Sequence, residues 1–204
     1  MKIAKVFDNA KLYEVFQFAI AKKTTHEIIR NEILKPGDGI SRILDFGCGI
    51  GFHSKFFPSA DYLGVEPLES CIKIANKNYA DSSTQFILGN HSYLKNLNNE
   101  SFDLVIAVGV LHHIDDEIFN EFIRETFRIL KSGGRLTTFD PVLHSKQSKI
   151  SEWVVKRDRG AWVRTELEYL NPIKNFFSGK IETKIYSNLI RIPYDHIAVS
   201  AIKS

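Results

Sequence analysis

Two cysteines in 204 residues leave little from which to build a disulfide framework. Cys48 falls in a glycine loop and Cys71 in a segment with helical spacing, so neither is placed as a staple. A reducing compartment, the cytoplasm, is expected. An excess of one charge is also missing: the formal charge is +3 and the basic residues are scattered. Nothing in that balance demands nucleic acid or an anionic membrane as partner. Long apolar runs are absent too, since FDLVIAVGVL (Phe102–Leu111) is too short to span a bilayer. LYEVFQFAIA (Leu12–Ala21) imitates a signal peptide, but Glu14 and Gln17 interrupt it. Its Leu12, Val15, Phe16, Ala19 and Ile20 share one helical face, so an amphipathic helix is expected. There is no internal repeat, no low-complexity segment and no Cys/His cluster. His112, His113, Asp115 and Asp116 crowd together, but neighbours in sequence rarely converge on one ion, so no metal is expected.

What is present reads as one globular domain, 44% hydrophobic and 25% charged. Two helical segments, Lys11–Ala21 and Thr25–Leu34, stop at the breakers Pro36-Gly37-Asp38-Gly39. Short apolar, β-branched segments then alternate with helical ones: RILDF, DYLGVE, a helix opening at Pro67, TQFILG, FDLVIAVG, a helix over Asp115–Leu130, a Ser132-Gly133-Gly134 turn, and RLTTFD. That alternation predicts an α/β fold, a doubly wound parallel sheet with helices on both faces. After Pro141 a helix is expected near Ser148–Arg157. The end of the chain reads as two strands turning at Pro193-Tyr194-Asp195-His196, an antiparallel edge. The expected division is a helical cap (1–38), a ligand-binding core (40–140) and a substrate-side segment (141–204) within a single domain.

The first strand ends in Asp45-Phe46-Gly47-Cys48-Gly49-Ile50-Gly51. Glycines at alternate positions allow left-handed turns and a close ligand approach at the carboxyl edge of the sheet. A dinucleotide loop has the spacing G-x-G-x-x-G, which this stretch lacks. Asp45 is awkward beside a pyrophosphate and welcome beside the ammonium of S-adenosylmethionine. Glu66, closing the second strand, suits ribose hydroxyls in either ligand.

LDFGCGIG, GVEP, the pair Gly89-Asn90, FDLVIAVGVLHHIDD and ILKSGGRL occur in this order between Arg42 and Asp140. Together they resemble the class I S-adenosylmethionine-dependent methyltransferases. The resemblance implies a Rossmann-like, mostly parallel seven-stranded sheet with an antiparallel C-terminal hairpin strand. It implies S-adenosyl-L-methionine as cofactor and S-adenosyl-L-homocysteine as product. Asp45 and the Gly47-Cys48-Gly49 backbone would hold the methionine end, with Gly109 helping. Glu66 would take the ribose, Pro67 would pack near the adenine, and Asn90 and the His91 N–H would meet its edge. Asn90 stands where the family more often has aspartate, so a weaker polar contact is implied.

Methyl transfer to a hydroxyl needs a proton acceptor. His112, after the fourth strand, and Asp140, closing the fifth, are the candidate base and its orienter. Some sugar O-methyltransferases of the rebeccamycin type show a similar His-His loop. Arg159, Trp162 and Arg164 in DRGAWVR could clamp a sugar-like or anionic group, and the stretch resembles a DRG-x-x-VR motif in a subset of bacterial class I methyltransferases. His144, Tyr186, Tyr194 and His196 are further candidates for the acceptor side. The favoured activity is therefore methylation of a small sugar-like or phenolic acceptor, most simply at oxygen. Competing readings are a macromolecular methyltransferase, a silent S-adenosylmethionine-binding protein and a nicotinamide oxidoreductase.

Overall fold

A computed structural model describes residues 25–37, 39–155, 161–191 and 195–204. The expected helix Lys11–Ala21 lies outside the described residues. Helix α1 (Thr25–Ile28) continues into a wider π-helical turn over Ile29–Leu34. The strands are β1 (Arg42–Phe46), β2 (Asp61–Glu66), β3 (Thr84–Leu88), β4 (Phe102–Val108) and β5 (Leu130–Leu143), with α2 (Glu69–Tyr79) and α3 (Asp116–Ile129) between them. After β5 come α4 (Lys149–Val155), the two-residue β6 (Arg164–Thr165), α5 (Glu166–Lys174), β7 (Ile181–Ser187) and β8 (Asp195–Ile202).

The sheet order is β3-β2-β1-β4-β5-β8-β7, with β6 beside the far end of β5. β1 to β5 pair in parallel, whereas β8 runs antiparallel to both β5 and β7. The expected mostly parallel sheet with antiparallel C-terminal strands is borne out. Strand order reverses between β1 and β4, which opens a crevice at their carboxyl ends.

Leu104, Val105, Ile106 and Ala107 of β4 are all fully buried, as a central parallel strand covered on both faces requires. On one face Phe119, Phe122 and Ile123 of α3 pack with Tyr169, Leu170 and Ile173 of α5. On the other, Ile29, Ile33 and Leu34 pack with Ile72 and Ala75 of α2, under Tyr62 and Phe86. Local signals start the helices: Asp115 Oδ1 accepts from Ile118 N–H at 2.8 Å, and Thr165 with Glu168 forms a capping box.

Three boundaries differ from the sequence expectation. Helix α2 starts at Glu69 rather than Pro67, because Glu66 accepts the Leu68 N–H and holds that stretch extended. β5 starts at Leu130, taking in the glycine pair, because Gly133 donates to Lys203 O and Lys203 to Gly134 O. Asp195 and His196 belong to β8 rather than to a turn, since His196 is in register with Pro141.

Candidate functional site

The glycine loop is bonded chiefly to itself and to β2. Gly47 and Cys48 both donate to Val65 O (2.8 and 3.2 Å), and Gly51 donates to Cys48 O at 2.9 Å. Gly49 N–H reaches Glu66 Oε2 at 3.1 Å. Gly47 has φ 73°, and a Cβ there would overlap the Val110 side chain. Glycine is thus required for its conformation and for close packing against the loop after β4. These engaged N–H groups leave the loop poor in donors for a pyrophosphate.

Acceptors are what remain. Asp45 is fully buried, and one oxygen, Oδ1, has no hydrogen-bond partner among the described residues. Its Oδ2 accepts from Tyr62 Oη and lies 3.6 Å from His53 Nδ1. A buried carboxylate with an unanswered oxygen is costly unless a cation or donor meets it. The ammonium of S-adenosylmethionine has the chemistry to do so, and the residues fit this cofactor. Tyr62 and His53 were not singled out in the sequence, because neither lies in the motif.

Glu66 ties two loops together, with Oε2 on Gly49 N–H and Oε1 on Leu68 N–H (3.0 Å). Burial raises its pKa from the ordinary 4.5, against the lowering pull of those two bonds. Pro67, Leu88, Gly89, Asn90, Ser92, Tyr93 and Asn96 line an adjoining cleft of about 400 Å³. Leu68 and Leu88, about half exposed, leave apolar surface beside that cleft for a planar ring. Asn90 Oδ1 already accepts from Ser92 N–H at 3.0 Å, so one lone pair is left for a ligand. The His91 ring lies 3.5 Å from Glu121, and His91 is not among the residues that line the cleft. The Cys48 N–H and carbonyl are bonded internally, its side chain packs against Gly64, and burial raises its thiol pKa. A slightly larger hollow of about 470 Å³, lined by Glu100, Arg128 and Lys203 among others, sits where β4 begins and β8 ends, away from the glycine loop. There Arg128 and Lys203 are bonded to carbonyls of Leu94, Leu97 and Leu130.

β4 and β5 bring the acceptor-side candidates together. His112 Nδ1 lies 2.8 Å from Asp140 Oδ1, which also accepts the His112 backbone N–H at 3.2 Å. Burial raises the Asp140 pKa, and hydrogen bonding and charge from His112 oppose the rise. Gly109 donates to Phe139 O at 2.7 Å, with open space where a Cβ would stand.

The Arg164 guanidinium, a candidate clamp in the sequence, is buried and grips the loop that carries His112. Nη1 donates to Leu111 O (2.8 Å), Nη2 to Ile114 O (2.9 Å), and Nε and Nη2 meet Asp116 Oδ1 at 2.8 and 2.7 Å. It also lies 4.6 Å over the Phe119 ring. Trp162 reinforces the strap, its backbone N–H donating to His112 O at 3.2 Å while the residue as a whole stays 44% exposed. Arg159 lies outside the described residues. Arg164→Met would leave the carbonyls of Leu111, Ile114 and Trp162 without this donor, and is expected to destabilise by about 3 kcal/mol. A chain of this size should lose roughly 6–12 °C in Tm in thermal unfolding. An unchanged Tm would contradict the strap.

Of the remaining candidates, Tyr186 Oη donates to Glu32 at 3.2 Å and His196 stacks on Phe139 at 4.9 Å. Tyr194 is outside the described residues, and His144 pairs with Asp195. No group of three or more potential metal ligands occurs among the described residues, nor any helix long and apolar enough to cross a membrane.

Residues 44–138 match the family described as a methyltransferase domain. The chain is 23% identical over 175 residues to a bacteriochlorophyllide d C-20 methyltransferase of Chlorobaculum tepidum, covering 81% of this chain and 50% of that protein. It is 26% identical over 121 residues to a thiol S-methyltransferase of Mus musculus, covering 57% and 49%. The chain therefore spans about half the length of the curated relatives it matches. Among solved structures it resembles a SAM-dependent methyltransferase from Archaeoglobus fulgidus, with a TM-score of 0.70, 17% identity, and coverage of 88% of this chain and 93% of that one. These findings bear out the resemblance carried by the motifs.

Proposed function

We propose that this chain, with its methyltransferase domain over residues 44–138, transfers the methyl group of S-adenosylmethionine to a hydroxyl of a small-molecule acceptor. The observation that carries the cofactor is the buried Asp45 carboxylate, its Oδ1 unanswered among the described residues, beside a loop in which the Gly47, Cys48, Gly49 and Gly51 N–H groups are already engaged. The same observation disfavours a nicotinamide dinucleotide. When bound, S-adenosylmethionine supplies an electrophilic methyl and leaves as S-adenosylhomocysteine.

The protein's own part is binding, alignment and one proton. Asp45 binds the ammonium and Glu66 the ribose hydroxyls, while the cleft beside Leu88 and Asn90 takes the base. On the acceptor side, Asp140 Oδ1 holds the proton on His112 Nδ1 and so fixes the tautomer with the lone pair on Nε2. Nε2 takes the hydroxyl proton as the oxygen becomes nucleophilic. The His112–Asp140 pair favours oxygen, whereas the printed names of two relatives concern carbon and sulfur. Incubation with tritiated S-adenosylmethionine and a panel of sugars and phenols tests this. Label on an acceptor oxygen is expected; label only on carbon or sulfur would overturn the hydroxyl assignment.

Cofactor binding should depend on pH through Glu66. Its ionised form accepts the ribose hydroxyls, and its pKa lies above 4.5. Affinity for S-adenosylhomocysteine should therefore begin to fall, on acidification from pH about 8 to about 5, at a higher pH than an exposed glutamate would set. For stability the sign is opposite: a carboxyl whose pKa rises on folding contributes fully below its unfolded value and loses that contribution as pH rises through the folded one. Glu66→Gln should remove the acid limb in calorimetric titrations. A limb that persisted there would assign the pH dependence to another group.

A further inference from the structure

A second imidazole and carboxylate meet at the same edge of the sheet. His144 Nε2 lies 2.9 Å from Asp195 Oδ2. His144 follows the last residue of β5, four positions beyond Asp140, or roughly 13 Å farther along an extended chain. β8 runs antiparallel to β5, so its first residue, Asp195, arrives at the rim where β5 ends. The pair therefore stands outward of His112 and Asp140, at the mouth of the acceptor side. Its accessibility differs accordingly: the His144 side chain is 21% exposed, against 9% for His112.

With the Nε2 proton held by Asp195, His144 Nδ1 carries a lone pair that no described residue meets. The backbone around it is fixed, because His144 N–H donates to Gln147 Oε1 at 2.7 Å and Gln147 N–H to His144 O at 3.2 Å. An independent observation lies in the next few residues. Gln147 Nε2 is buried without a partner among the described residues, and so is the Oγ of Ser151, a residue only 4% exposed. Folded proteins rarely leave such groups unsatisfied, so two of them following an oriented imidazole mark a place for a polar ligand. A salt link that merely ties β5 to β8 would account for the His144–Asp195 contact but not for these atoms.

We propose that His144, oriented by Asp195, forms with Gln147 and Ser151 a polar subsite for a hydroxyl of the acceptor other than the one methylated. The proposal rests on the reading of the His112 side as the acceptor side, and it narrows the acceptor to a polyhydroxylated, sugar-like or catechol-like molecule. His144 Nδ1 accepts from one hydroxyl while Gln147 Nε2 donates to its oxygen or to a neighbour's.

The test is a titration of the ¹⁵N-labelled protein, loaded with S-adenosylhomocysteine, with methyl glucoside and with catechol. The His144 ring signals are assigned by their loss in His144→Gln. A saturable shift of Nδ1 with at least one probe is expected. Probe affinity should fall roughly tenfold in Asp195→Asn, as for one lost oriented hydrogen bond. S-adenosylhomocysteine affinity should be unchanged in both variants. No movement of His144 with either probe, with cofactor still bound, would overturn the subsite and leave the methyltransferase reading standing. Failure of S-adenosylhomocysteine to bind would overturn that reading and the subsite with it.

Discussion

His112→Gln is expected to lower methyl transfer by about 10²–10⁴-fold, the usual contribution of a positioned general base. S-adenosylhomocysteine affinity should stay within about twofold, because His112 acts on the acceptor rather than on the cofactor. The expectation follows from the geometry around Asp140. A buried carboxylate that accepts both the ring and the backbone N–H of His112 holds the imidazole in one orientation and one tautomer. Glutamine can retain the bond to Asp140 but has no lone pair of comparable basicity to offer. Asp140→Asn should also fall steeply, since an amide can donate to Nδ1 and favour the opposite tautomer. Single-turnover assays at saturating cofactor separate the two effects from binding. Turnover undiminished in His112→Gln would remove the base from the mechanism and reopen carbon or sulfur as the accepting atom.

Asp45→Asn is expected to weaken S-adenosylmethionine and S-adenosylhomocysteine binding by about 10- to 100-fold, as for a lost charge-assisted hydrogen bond. Stability should not fall in parallel. Oδ1 is buried without a partner among the described residues, so replacing the charge with a neutral amide relieves a desolvation cost. Tyr62 Oη keeps an oxygen to donate to. Opposite movements of affinity and Tm would place Asp45 on the ligand. If both fell together, Asp45 would instead be a fold residue held by Tyr62 and His53.

The alternating strands and helices were legible because β-branched strands and breaker clusters are local signals. The Asp45-to-Gly51 loop was legible for a related reason: a ligand that approaches backbone demands glycines at fixed spacing. Glu66 and the pair His112 and Asp140 were nominated from their positions at strand ends, where a parallel sheet gathers its ligands. What escaped was long-range. Arg164 had the composition of an anion clamp, yet its partners Leu111, Ile114 and Asp116 lie about fifty residues earlier, and only the fold reveals that they occupy its donors. Tyr62 was hidden as an ordinary strand aromatic until β2 placed it beside Asp45. The pairing of His144 with Asp195 depends on the antiparallel return of β8, which no local spacing encodes. The opening of α2 differs from the local signal: proline at 67 is a good helix starter, whereas the Glu66 carboxylate captures the Leu68 N–H.

Calorimetric titration of the protein with S-adenosylmethionine, S-adenosylhomocysteine and NADH in parallel bears most directly on the central claim. Saturable binding of the first two, weakened by Asp45→Asn and Glu66→Ala, with no heat from NADH, is the expected result. Saturable binding of NADH alone would contradict it and return the Asp45-to-Gly51 loop to the dinucleotide enzymes.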